Sequence, residues 1–282
     1  MQNKQQEIIA MFDDIAGSYD LANRVMSCGI DIAWRQKACN LAFKSLPQDS
    51  LSALNIADIA CGTGDMINHW RKNAKQANIT IQSIVGLDPS EGMLNVARKK
   101  LPDVEFLQCE AKKLPLESAS KDILSIAYGI RNVVERKCAL QEFARVLKPS
   151  GILVILEFTK CENPTFLEKL MGFYTKNILP YIGGIVSKNY RAYRYLPDSI
   201  EEFLTADKLN SELQVVGFEP LYTKAFSTNV CTLFIAKKIW GISSVVGIIF
   251  GFCLLIKYAM IPNQNLNIKV KQWKEQSYLM ES

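Results

Sequence analysis

Residues 55–65, Asn-Ile-Ala-Asp-Ile-Ala-Cys-Gly-Thr-Gly-Asp, constrain this chain more than any other stretch. Ile56, Ile59 and Ala60 suit a strand covered on both faces, and Gly62 and Gly64 supply left-handed backbone and close approach at a turn. The residues that follow read as a helix. A strand that ends in a glycine turn and hands over to a helix is a ligand-binding corner of an open parallel α/β sheet.

Charge narrows the ligand. A dinucleotide corner wants G-x-G-x-x-G, so that a pyrophosphate can sit on bare amides at the helix N-terminus. Here Asp65 follows Gly64 directly, where it would repel a pyrophosphate, and Asp58 lies four residues before Gly62. Two acids favour a cation, and S-adenosylmethionine has an ammonium, a sulfonium and no phosphate. Asp88 ends the next apolar run and stands 24 residues beyond Gly64, where a βαβ unit places a ribose-binding acid. The opposing reading is a tight turn flanked by solvated acids. The turn, its acids and the spacing of Asp88 together favour the cofactor.

At 282 residues the chain has room for one α/β domain and an appendage. A net charge of +5 without Lys/Arg stripes argues against nucleic acid as a partner. The eight cysteines are scattered without a C-x-x-C pair, a reduced, cytosolic pattern. His69 is the only histidine, so no Cys/His metal site is expected, and His69 itself reads as a solvated helix residue. Residues 1–6 run into a polar helix without an apolar signal core, so the main domain is expected in the cytoplasm.

Residues 1–50 read as a helical cap, with Ile8, Met11, Phe12 and Ile15 at amphipathic spacing and a break at Gly29. From there to 238 strands and helices alternate, which predicts a parallel sheet. Strands are expected at 53–61, 79–88, 104–109, 123–127, 152–158, 219–224 and 228–236. Residues 161–207 interrupt the alternation with helical pieces rich in aromatics. Such an insert lies over the ligand-binding edge of the sheet, or forms a satellite core.

Several motifs resemble the ubiquinone/menaquinone biosynthesis C-methyltransferase family over roughly 8–238: Met-Phe-Asp-Asp-Ile-Ala at 11–16 with Tyr19-Asp20, Cys-Gly-Thr-Gly-Asp at 61–65, and Gly-Ile-Arg-Asn at 129–132. Arg-Val-Leu-Lys-Pro at 145–149, Leu-Glu-Phe at 156–158 and Ala-Tyr-Arg-Tyr-Leu-Pro at 192–197 extend the match. The resemblance implies a class I S-adenosylmethionine-dependent methyltransferase with a Rossmann-like, seven-stranded, mostly parallel sheet. It also implies methylation of a prenylated quinol ring, demethylmenaquinol or a 2-methoxy-6-polyprenyl-1,4-benzoquinol. By position, the cofactor contacts fall on Thr63, Asp88, Glu110 and Ala111, beside Asp58, Gly62 and Gly64 of the turn. The chain departs from the pattern at Glu110, where Asp or Asn is usual, at Asp31, commonly histidine, and at Ser150, usually glycine. Ala127 stands where some members carry a cofactor-touching serine, so that contact is not carried over.

Methyl transfer from a sulfonium is an in-line displacement, catalysed mainly by positioning and by stabilising charge on the nucleophile. A quinol carbon becomes nucleophilic when the neighbouring hydroxyl ionises, which requires a cation or donor at that oxygen. Arg131 and Asn132 are the candidates, Arg131 lowering the phenol's pKa. The alternative for Arg131 is a structural ion pair with an acid such as Glu135. Two other functions stay open: a different small-molecule C- or O-methyltransferase, and a non-catalytic, membrane-attached scaffold.

Residues 239–256 form an uncharged, largely apolar run of 18. As a helix it would reach roughly 27 Å, at about 1.5 Å per residue, close to the hydrocarbon thickness of a bilayer. The expectation is a hydrophobic helix over 239–261 that anchors the domain to the cytoplasmic face of the inner membrane, followed by a polar tail at 262–282. Gly247 and Gly251 form a G-x-x-x-G face suited to pairing two such helices in a homodimer.

Overall fold

The computed structural model describes residues 2–47, 53–162, 164–187, 189–227 and 229–239. Met1–Gly241 form one compact unit and Ile242–Ser282 a second. The expected hydrophobic helix, its G-x-x-x-G face and the polar tail lie outside the described residues. Among the described residues no helix is long and apolar enough to cross a membrane.

Three helices open the chain: α1 (Gln2–Ile15), α2 (Tyr19–Ser27) and α3 (Ile30–Ser45). Strand and helix then alternate through β1 (Leu54–Ile59), α4 (Asp65–Gln76), β2 (Ile81–Asp88), α5 (Glu91–Lys100) and β3 (Glu105–Gln108), and β4 (Lys121–Ala127) follows β3 without a helix between them. Then come α6 (Arg136–Val146) and β5 (Leu147–Glu157), the helical insert α7 (Phe166–Asn177), α8 (Leu179–Ser187) and α9 (Tyr190–Glu202), and finally α10 (Ala206–Val215), β6 (Phe218–Phe226) and β7 (Cys231–Lys238). The seven strands form one sheet in the order β3-β2-β1-β4-β5-β7-β6. The first five run parallel, and β7 enters antiparallel between β5 and β6. The order reverses between β1 and β4, so the loops after these two strands diverge and leave a crevice at their C-terminal ends.

Alternate strand residues feed two cores. One face carries Ile59, Leu87, Leu124 and Ile155 against Phe143 of α6 and Leu209 and Leu213 of α10. The other carries Ile56, Ile123, Val154 and Leu233 against Ala42 and Phe43 of α3 and Trp70 of α4. Residues 2–45 therefore do two jobs: α3 belongs to the helix layer under the sheet, and only α1 and α2 form a cap, where Ile15 and Ala22 cluster with Met93 and Tyr193.

The fifth strand, expected at 152–158, begins earlier, at Leu147, and takes in Lys148–Gly151. Lys121 pairs with Leu147 and Ile123 with Ile152, so the intervening β5 residues loop out as a bulge. Ser150 sits there at φ 63°, a left-handed conformation that is unfavourable for a side chain. Ser150→Gly is expected to stabilise the protein by about 0.5–1 kcal/mol, a rise of roughly 1–4 °C in Tm. A lower Tm on thermal melting would mean that the serine makes a contact worth more than its strain.

Candidate active site

The predicted site residues collect at the C-terminal ends of the parallel strands because parallel pairing puts those ends level. Asp58 pairs with Gly86 and Ser125 across the sheet, and Ile59 with Leu87 and Ile126. After β1 the chain turns through Ala60 at φ 49°, and after β4 through Tyr128 at φ 59°, a left-handed conformation for a bulky side chain. Strain of this kind persists where surrounding structure enforces it and concentrates at functional sites. The two turns nearly touch: a Cβ on Gly129 would lie 2.5 Å from the Ala60 methyl, so only glycine fits there. Gly64 caps the start of α4 at φ 84°, and any side chain on it would also press on Leu101.

Gly62, Asp88, Glu110, Ala111 and Asn132 line one cleft. Asp58, Gly62 and Thr63 line an adjoining one. Arg131 faces a third space, an apolar cavity of about 490 Å³ walled by α1, α2 and the insert. Tyr19 and Tyr128 line all three. That junction is where a group held in the first two spaces would meet one held in the third.

Asp88 is buried and accepts hydrogen bonds from the Gly62 and Ser90 amides, both at 2.8 Å, so it fixes the glycine turn against the α5 entry. Burial raises its carboxyl to about 6, against the two amides that favour the carboxylate. Asp58 is 1% exposed, and its Oδ1 accepts from Ser125, which in turn accepts from the Trp70 indole at 2.9 Å. Its Oδ2 has no partner among the described residues. Burial pushes Asp58 up to about 7, with Ser125 and Arg35 opposing the rise. An orphaned carboxylate oxygen beside Gly62 and Thr63 suits the ammonium of an amino-acid moiety, and the Asp88–Ala111 side suits a nucleoside.

This has a pH consequence. A carboxyl raised to about 7 from an ordinary 3.8 favours the fold at low pH, and that advantage is lost as pH rises from there through 7. Asp58→Asn is therefore expected to stabilise the cofactor-free protein at pH 8 by on the order of 2 kcal/mol. The same change should weaken cofactor binding at least tenfold, by removing a charge-assisted contact. A lower Tm with unchanged affinity in calorimetry would place the ammonium elsewhere.

Asp65, expected to be the second acid facing the cationic ligand, is committed otherwise. It pairs with Lys100 at 2.9 Å and Arg24 at 3.1 Å. Burial would raise its pKa, but Lys100 and the neighbouring arginines hold it below the usual carboxylate range. Thr63 likewise donates its hydroxyl to Asp20 of α2, leaving its backbone to face a ligand. Asp31, the departure from histidine, is buried between Arg24 and Arg35, and an anion there balances both. Glu110 lines the cleft with Lys112 at 3.4 Å.

Arg131 is ion-paired, though not with Glu135, which binds Lys112. Its partner is Glu157, fully buried at the end of β5, with Nη1 2.5 Å from Oε1. Burial raises the Glu157 carboxyl, and Arg131 works against that rise. Nη1 also donates to the Tyr128 carbonyl and Nε to Ser199, while the guanidinium sits over the Phe158 ring at 5.3 Å. Nη2 has no partner among the described residues, which leaves it as the donor for a ligand oxygen. Asn132 accepts from the Tyr195 hydroxyl at 3.0 Å. Tyr19, Tyr128, Tyr195 and Glu157 complete the site. Tyr19, Glu157 and Tyr195 are legible in the sequence only as parts of the motifs at 19–20, 156–158 and 192–197, and Tyr128 only as the residue before Gly-Ile-Arg-Asn.

Comparison with known proteins agrees with this geometry. The pattern of the ubiE/COQ5 methyltransferase family matches residues 1–238. The ubiquinone/menaquinone biosynthesis C-methyltransferase UbiE of Campylobacter jejuni serotype O:23/36 is 57% identical over 237 residues, 84% of this chain and 99% of that protein. The demethylmenaquinone methyltransferase of Thermotoga maritima is 37% identical, over 84% of this chain and 98% of its own. Among solved structures, a Thermotoga maritima S-adenosylmethionine-dependent methyltransferase covers 82% of the chain, with a TM-score of 0.53 at 20% identity. The [4+2]-cyclase SpnF aligns as well, also at 0.53 and covering 73% of the chain, so the fold alone does not settle the activity. The match of sequence over the whole described unit does settle the lineage, and the orphaned Asp58 oxygen beside the glycine turn fits its cofactor, S-adenosylmethionine: the chain belongs to the ubiE/COQ5 methyltransferase family.

Proposed function

We propose that this protein methylates a ring carbon of a prenylated quinol in quinone biosynthesis, with demethylmenaquinol as the acceptor. The observation that carries this reading is the apolar cavity of about 490 Å³ that meets both cofactor clefts at Tyr19 and Tyr128, with Arg131 in its wall. A polar acceptor would not be served by a chamber built from Met11, Phe12, Met26, Met171 and Leu179. S-adenosylmethionine supplies an electrophilic methyl when bound. Everything else falls to the chain. Arg131 Nη2 donates to the quinol oxygen beside the reacting carbon and favours its phenolate, since a guanidinium keeps its charge. Glu157 fixes the guanidinium plane through Oε1 and receives the Arg131 backbone amide on Oε2 at 3.2 Å. Asn132, braced by Tyr195, borders the cofactor cleft. The C. jejuni and T. maritima relatives, by their names, support the acceptor class. The test is quinone analysis of a deletion strain, which should accumulate demethylmenaquinone. Unaltered menaquinone in that strain would remove the assignment.

The acceptor also sets the place of work. Prenylated quinols dissolve in bilayers, so a tethered enzyme meets them at high effective concentration. The 239–256 run, flanked by Lys237, Lys238 and Lys257, is proposed as the tether, holding the domain on the cytoplasmic side where its cofactor is made. Full-length protein should resist carbonate and high-salt washes, and a chain truncated after Lys238 should not. Full-length protein in the soluble fraction would end the tether proposal alone.

A further inference from the structure

The acceptor cavity is not sealed on its outer side. Its wall runs through Cys28 and Ile30 at the α2–α3 junction and through Met171 and Thr175 of α7. Outward from that rim the surface stays apolar. Phe166 is 82% exposed and Ile185 80%, and Leu170, Phe173 and Tyr181 are exposed beside them. Leu21, Val25 and Ile32 are exposed as well, on α2 and the start of α3, and α2 and α7 both pack against α8. Solvated monomers seldom carry large contiguous apolar patches without a binding role.

Helix α7 carries the sharpest pattern. Phe166, Leu170 and Phe173 fall on one face, and Lys169 and Lys176 flank it a helical step away. The helix is well defined, with a Thr165–Glu168 capping box at its start, yet it buries none of its residues. Its single acid, Glu168, is tied to the Thr165 amide and to Asn229. Lys169 and Lys176 form no ion pair among the described residues. An apolar stripe edged by unpaired lysines is how a helix lies in the headgroup layer of an anionic membrane.

We propose that this face, α7 with the outer sides of α8 and α2, seats directly on an anionic lipid bilayer and sets the cavity mouth against the acyl layer. The inference rests on the quinol reading above and adds a second, reversible membrane contact, independent of residues 239–256. The prenyl chain then keeps its far end in lipid while only the ring enters the protein.

Residues 1–238 suffice for the test, because the C. jejuni relative matches over 99% of its own length within 84% of this chain and is a protein of that size. The chain truncated after Lys238 is sedimented with phosphatidylethanolamine vesicles with and without phosphatidylglycerol. Binding is expected, and tighter with phosphatidylglycerol. The combined variant Phe166→Asp, Phe173→Asp and Ile185→Asp should lose at least tenfold in partitioning. Lys169→Glu with Lys176→Glu should lose only the phosphatidylglycerol preference. All variants should keep S-adenosylmethionine binding and turnover on a water-soluble short-chain quinol, which shows that they are folded. Absence of that turnover in the unsubstituted chain would count against the quinol reading, whatever the vesicles show. Truncated protein left in the supernatant, or an aspartate variant that binds vesicles as well as the parent, would overturn the membrane face. A dimer in gel filtration that the aspartates dissociate, with no vesicle binding, would assign the face to a second copy instead.

Discussion

Replacing Arg131 by alanine is expected to lower turnover on a prenylated quinol by about a hundredfold and to destabilise the protein by roughly 3–5 kcal/mol. The two effects have separate origins. On the proposed mechanism turnover falls because Nη2 donates to the quinol oxygen, and among the described residues the other arginine of the cavity wall is committed: Arg35 is bound to Asp31 and stacked over Tyr128 at 5.0 Å. Stability falls because Glu157, with no exposure at all, loses the one counter-charge it has among the described residues. Arg131→Ala in a Glu157→Gln background separates them, since the neutral amide no longer requires a cation. Thermal melts should then recover most of the lost stability while kcat stays low. A recovered kcat would reduce Arg131 to a structural partner of Glu157, and cofactor affinity should hold in every variant.

Asp88→Ala is expected to raise the dissociation constant for S-adenosylmethionine by about ten- to a hundredfold. A carboxylate accepting ribose hydroxyls contributes about 1.5–3 kcal/mol, and each 1.4 kcal/mol is tenfold. The alanine also frees the Gly62 and Ser90 amides that the carboxylate holds at 2.8 Å, so the turn loosens as the contact is lost. Because burial raises Asp88 to about 6, affinity in the parent protein should hold above that pH and decline below it, as the acceptor oxygen takes a proton. Calorimetry at pH 5 and pH 8 checks both statements. An unchanged constant in the alanine variant would move the ribose to another strand end.

What the sequence made legible was local or periodic. The β1 strand, its glycine turn and α4 are one continuous segment whose geometry is written in neighbouring residues, and the alternation from there to β5 is a repeat of the same unit. Where partners lie far apart in the chain, reading by proximity fails. By sequence Asp65 reads as a ligand acid because Lys100 and Arg24, which occupy it, lie 35 and 41 residues away. Glu135 looked like the partner of Arg131 at four residues, while the real one, Glu157, is 26 away and reached through the parallel pairing of β4 and β5. The insertion of β7 between β5 and β6 has no local signature either, since a hairpin reads the same on either side of its neighbour. By sequence helix α3 groups with the cap because it runs on from two other helices ahead of the first strand. Only the sheet decides which of their apolar faces it covers.

The cap carries a kinetic consequence. Asp13 of α1 receives the Ser90 hydroxyl and the Gly92 amide, Asp20 of α2 receives Thr63 and Lys100, and Phe12 and Tyr19 wall the nucleoside cleft and the quinol chamber together. One pair of helices is thus the shared door of two rooms. If spent cofactor departs by a motion of α1 and α2, that motion also unseals the chamber proposed for the ring, and the two products leave through coupled openings. Turnover limited in that way would be the same for a long-tailed acceptor as for a short one.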